Sequence, residues 1–182
     1  MWELEYLVEY GHIRADLGSR IRELVSSSEL HRAHELANSI GLEIAPPSGG
    51  LSDYAPAVAS AVISGLVRST APGTAGSFAL LTSIVGSALH VDAPAGAQTR
   101  QIFESLLPTL ASIVEGGDAD IAADGIDLIS LSSSLSKLCA QRAVFYLAKI
   151  SVSTSGAVKA SADTELTEAR KALVRFRSAE VP

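Results

Sequence analysis

The sequence predicts an all-α protein made of antiparallel helix pairs. Apolar residues recur at spacings of three and four through most of the chain, which places them on one stripe of a 3.6-residue helix. The stretches so patterned are separated by breaks rich in Gly, Pro and Asp, with the chemistry of helix caps. Residues 106–135 carry both signals together and read as two amphipathic helices joined by a tight, acid-capped turn.

Taken in order, Trp2 to Tyr10 sets Leu4, Leu7 and Val8 on one side, and Gly11 ends it. Ser19 to Val25 continues with Ile21, Leu24 and Val25. Ser26 to Glu29 has the spacing of a capping box for a helix running to about Ser39, with Gly41 as its stop. Ile44 to Gly50, IAPPSGG, is the strongest break and reads as a hinge-like connection. A helix then opens at Tyr54-Ala55-Pro56 and runs through Val67; TAPGTAG forms the turn, and Phe78 to Leu89 returns.

In the next pair Leu106, Leu107, Leu110, Ile113 and Val114 form one stripe, with Pro108 in the first turn, where no internal N–H bond is lost. Gly116 and Gly117 are expected in left-handed conformations that end this helix. Asp118 or Asp120 caps the following one, whose apolar face is Ile121, Ile126, Leu128, Ile129 and Leu131. Ser134 is expected to cap a central helix from Leu135 to Ile150 bearing Leu135, Leu138, Cys139, Phe145, Tyr146 and Ile150. Ser151 to Ala162 is low in bulk and reads as a flexible linker. The last helix, Asp163 to about Arg177, has Ala162, Leu166, Ala169, Leu173 and Phe176 on its stripe. Its acids come first and its bases last, complementing the helix dipole.

The early Leu-Pro, the Asp-rich turn and the hydrophobe opening the second helix make residues 106–135 resemble a HEAT-type repeat, and residues 53–89 resemble a divergent copy. Both depart from the pattern where an Arg usually follows: Ile121 precedes Ala122, and Phe78 precedes Ala79. The resemblance implies helix pairs stacked as a short HEAT-like α-solenoid. One domain, residues 1–182, would then comprise an N-terminal helical unit at 1–43, HEAT-like pairs at 51–150 and a capping helix at 160–178.

Composition narrows the function. With 47% hydrophobic residues among 182, the chain can bury a sizeable core. A net charge of −6 disfavours nucleic acid, whose phosphates need a clustered basic face, and favours a basic protein partner. The apolar runs are short of the roughly twenty residues that span a bilayer, so no membrane is expected. A single cysteine, Cys139, suits a reducing cytoplasm, and three acids in the first nine residues are the reverse of a signal peptide. Ten Arg against four Lys, with abundant Ala, Gly and Ser, hint at a bacterial source.

Five groupings could carry chemistry. His31, His34 and Glu35 share a helix face at metal-ligand spacing, yet HRAHE matches no zinc motif, so a solvated face is the reading. Asp118, Asp120, Asp124 and Asp127 lack EF-hand spacing and read as caps and surface acids. Thr70 to Ser77 lacks the Lys of a P-loop and reads as a turn. Cys139 lies among apolar neighbours and reads as buried packing. Arg170, Lys171, Arg175 and Arg177 either cap the array or grip a partner. No catalytic, cofactor or metal residue is assigned. The favoured function is a non-catalytic helical-repeat protein that binds a macromolecule, such as an adaptor or a cytoplasmic immunity protein. The alternative is a small helical enzyme or ligand-binding protein with a site between helices.

Overall fold

The computed structural model describes residues 2–179, and its fold is all-α. Among the described residues there are nine helices and no strand: α1 (Trp2–Glu9), α2 (Ala15–Ser26), α3 (Leu30–Ile44), α4 (Ala55–Leu66), α5 (Ala71–Ala88), α6 (Pro94–Gly116), α7 (Ala119–Ser132), α8 (Lys137–Ser153) and α9 (Gly156–Ser178). Among them no helix is long and apolar enough to cross a membrane. The chain divides into two compact units, Met1–Ile102 and Phe103–Pro182.

In the first unit α2 packs on α3 and α4, and α5 packs on α2, α3 and α4. Gly65, near the end of α4, faces Val25, near the end of α2, so these helices run the same way. Likewise Gly76 of α5 faces the Ala33 carbonyl early in α3, while Gly41 further along α3 faces Leu80 and Ser83. The α2/α3 and α4/α5 hairpins therefore lie side by side in parallel. Leu17, Ile21, Leu24, Ile40, Ile44, Val62, Ile63, Phe78, Leu81 and Ile84 of these helices are buried. Full burial of each such side chain contributes about 1.5–3 kcal/mol.

Several sequence expectations change here. TAPGTAG is not a turn: Thr70 caps α5 by accepting from the Gly73 N–H at 3.0 Å, and Pro72, Gly73 and Gly76 lie inside the helix. Thr70 also binds α2, its N–H reaching the Val25 carbonyl at 3.3 Å and its hydroxyl donating to the Ser27 carbonyl. No capping box forms at Ser26–Glu29. Ser26 belongs to α2 and bonds back to the Arg22 carbonyl at 2.8 Å, and Glu29 precedes α3 without a side-chain cap. Gly41 does not stop α3, which continues to Ile44 with Gly41 buried opposite Leu80 and Ser83 of α5. Nor is Ile44–Gly50 a hinge. The loop joins helices of one unit, clipped by the Ser52 N–H to the Ile44 carbonyl at 2.8 Å.

In the second unit α8 and α9 pack together and both contact α7. Glu104 of α6 accepts from Ser136 at 2.6 Å, and Glu115, three turns later, pairs with Lys149 at 2.9 Å. The second half of α6 and α8 therefore run parallel. Pro108 is not in a first turn, since α6 starts at Pro94 and carries Pro108 in its interior. A proline there leaves the carbonyl of residue 104 without its N–H partner; the Arg142 guanidinium donates to that carbonyl instead. Gly116 and Gly117 do not take positive φ, and Asp118 alone caps α7, accepting from the Ile121 N–H at 3.0 Å.

Ser136, not Ser134, caps α8, accepting from the Cys139 N–H at 3.1 Å. The buried row of α8 is Cys139, Ala140, Ala143, Leu147 and Ile150, while Leu138 and Phe145 are exposed, so this helix is half-solvated. Ser151 to Ala162 is mostly helical; only Thr154 and Ser155 separate α8 from α9. Most of its small side chains are exposed, and α9 buries Ala162, Leu166, Ala169 and Ala172, leaving Leu173 and Phe176 at the margin.

Candidate functional site

Within the first unit, α2 and α3 border an open groove of about 570 Å³ lined by Arg20, Glu23, Arg32, Glu35, Leu36, Asn38, Ser39 and Leu42. Its polar side chains come from rows three and four residues apart on adjacent helices, which point the same way. They satisfy one another. Glu43 receives both Arg14 and Arg20, Arg32 reaches Glu23 at 2.6 Å and Glu35 at 3.5 Å, and Arg20 donates to Ser39 at 3.2 Å. The Glu23 hydrogen bond, then its charge, holds the Arg32 guanidinium above its ordinary pKa. Exposed pairs of this kind are screened by water and orient the side chains more than they stabilise the fold. The groove escaped sequence reading because its charge rows belong to two helices whose facing was unknown.

His31, His34 and Glu35 all lie on the exposed side of α3, where His31 meets Glu35 at 3.2 Å. Among the described residues no three His, Cys, Asp or Glu side chains converge to hold a metal. Adding stoichiometric Zn²⁺ or a chelator should accordingly leave the melting curve unchanged; a chelator-sensitive transition would reverse this assignment. Of the acids, Asp118 is a cap and Asp120 follows in the first turn of α7. Asp124 and Asp127 are spread along that helix. Partial burial, then the charges of Glu165 and Asp124, raises the Asp127 carboxyl above its usual range.

Cys139 is fully buried. Burial pushes its thiol up to about 11, against a smaller opposing effect of the Ser136 hydrogen bond. A neutral, enclosed thiol is a poor nucleophile, so a soluble thiol reagent should label native protein slowly and denatured protein fast. Equal rates would refute burial. The raised folded-state value also means that this group's stabilising effect is full below about pH 9 and is lost as pH rises toward 11.

On α9, Arg170, Lys171, Arg175 and Arg177 are exposed, with Lys171 paired to Glu168 at 2.6 Å and both Arg175 and Arg177 in the last turn. One grouping was missed in the sequence, because the segment holding Ser151 and Lys159 reads there as a linker and the i, i+4 spacing of Lys159 and Asp163 counts only on a helix. Lys159 donates to the Ser151 hydroxyl at 3.1 Å and to Asp163 at 3.0 Å, and Ser151 itself donates to Asp163. The Ser151 hydrogen bond, then that from Lys159, lowers the Asp163 pKa, so the trio clamps the start of α9 onto the end of α8. No protein-family model matches the chain, and no curated protein or solved structure shows significant similarity to it.

Proposed function

We propose that this chain is a non-catalytic helical-repeat protein whose helix pairs stack as a short HEAT-like solenoid and bind a basic protein, in an adaptor or immunity role. The observation that carries the reading is a packing rule common to both units. In the first, α2 and α4 run parallel, as do α3 and α5; in the second, α6 and α8 run parallel while α7 contacts α9. Side-by-side stacking of consecutive hairpins is how repeat arrays grow, and it leaves rows of helix faces as extended binding surfaces. The charge of −6 supplies the preference for a basic partner.

A second reading, a small ligand-binding protein or enzyme, is favoured by the α2/α3 groove alone. Isolation of the partner from the native lysate, followed by a salt series, separates the two. Association should slow as salt rises from about 0.05 to 0.5 M, because steering of opposite charges is screened over that range. An acidic partner, salt-indifferent association, or recovery of only a small molecule would overturn the proposal.

A further inference from the structure

Helix α1 has two unlike sides. Leu4 is buried, Leu7 and Val8 are half-buried, and Leu4 and Val8 face Gly18 of α2. The opposite side carries Glu5 with Glu9, and Tyr6 with Tyr10 of the turn that follows, whose N–H bonds to the Tyr6 carbonyl at 3.0 Å; all four are exposed. The rings of Tyr6 and Tyr10 lie 4.5 Å apart, and His12 stacks on Tyr6 at 6.5 Å. Tyr6 is 49% and Tyr10 62% exposed, so part of each ring is open to a partner. The sequence holds no Lys or Arg before Arg14, and Arg14 is engaged by Asp16 and Glu43.

We propose that this face of α1 binds a basic segment of the partner, an arginine guanidinium lying on the Tyr6 and Tyr10 rings while Glu5 and Glu9 accept its N–H groups. The inference rests on the reading of the chain as a binder of basic protein. Guanidinium is the fitting cation, since its plane stacks on an aromatic face and its fork pairs with a carboxylate, whereas a lysine ammonium does only part of this. Phosphate ligands are disfavoured by the two carboxylates. The exposed row Leu138, Phe145 and Val152 on α8 is more apolar, but Arg142 and Lys149 beside it are already committed to Glu104 and Glu115. It therefore offers no charge preference.

The test is titration of the whole chain with a hexa-arginine peptide, following backbone amide shifts, with hexa-lysine and hexa-glutamate as comparisons. Shifts should cluster between residues 5 and 12, and hexa-lysine should bind more weakly. Glu5→Gln/Glu9→Gln and Tyr6→Ala/Tyr10→Ala should each weaken binding by about fivefold or more, as expected for losing one or two surface cation contacts. Because these side chains are exposed, melting of both variants should match the parent. Absence of binding, shifts centred on the α7 acids, or binding indifferent to the tyrosines would overturn the proposal. If a basic native partner still bound the variants fully, the α1 face would fall while the broader reading stood. An acidic native partner, with hexa-arginine still held by α1, would do the reverse.

Discussion

Gly73→Ala should destabilise the first unit by about 3 kcal/mol, and Gly76→Ala by about 2 kcal/mol, although Ala is the better helix former by about 1 kcal/mol. The sign is set by what stands opposite. A Cβ on Gly73 would lie 2.2 Å from the Val25 carbonyl oxygen, and one on Gly76 would lie 2.8 Å from the Ala33 carbonyl oxygen. Both obstacles are backbone, so α5 must move bodily off α2 or α3. That movement also pulls Thr70 away from Val25 and Ser27. Gly86 provides the internal control. It lies on the same helix, and a Cβ added there would meet nothing within 4 Å, so Gly86→Ala should stabilise by about 0.5–1 kcal/mol. Urea midpoints of the three variants read this directly. Stabilisation by all three would mean that the close approach of α5 to α2 and α3 does not exist.

The second large effect concerns Pro108 and Arg142, which should be energetically coupled. Arg142→Met leaves the Glu104 carbonyl without a donor, at a cost of about 1–3 kcal/mol. In a Pro108→Ala background residue 108 regains an N–H that can reach that carbonyl, and the same Arg142→Met change should then cost less than half as much. Pro108 is exposed, so its replacement removes little packing and should itself stabilise by about 1–3 kcal/mol. A double-mutant cycle measured by denaturant unfolding yields the coupling. Strictly additive effects would show that Arg142 serves some purpose other than relieving the proline.

The helical class and most of the core were legible in the chain because their signals are local. Periodicity of three and four placed Ile21, Leu24, Leu110, Ile126 and Ile129 on stripes that are buried, and of the two acids offered as the cap of α7, Asp118 makes the short-range bond. The groove and the α1 face were less legible. Their residues are unremarkable singly, and only the facing of α2 on α3, or of Leu4 and Val8 on Gly18, fixes what is left outside.

Spacing of three and four, which acts within about one turn, thus reveals the helical class and many of the buried stripes, whereas several caps and helix ends depend on more than local pattern. The roles of the small and rigid residues depend on which helices pack against them. Gly73, Gly76 and Gly41 carry the same letter as the turn glycines Gly49 and Gly50, which do take positive φ of 88° and 108°. They differ in what lies across from them, a neighbouring helix in one case and solvent in the other. Likewise Ala162, Ala169 and Ala172 look like slack in a list of residues and become the contact surface of α9 once other helices lie against them. Pro108 looks like a helix start until Arg142, far along the chain on α8, supplies the donor that an interior proline removes. A missing side chain or a missing N–H acquires its consequence from atoms distant along the chain, which local spacing does not encode.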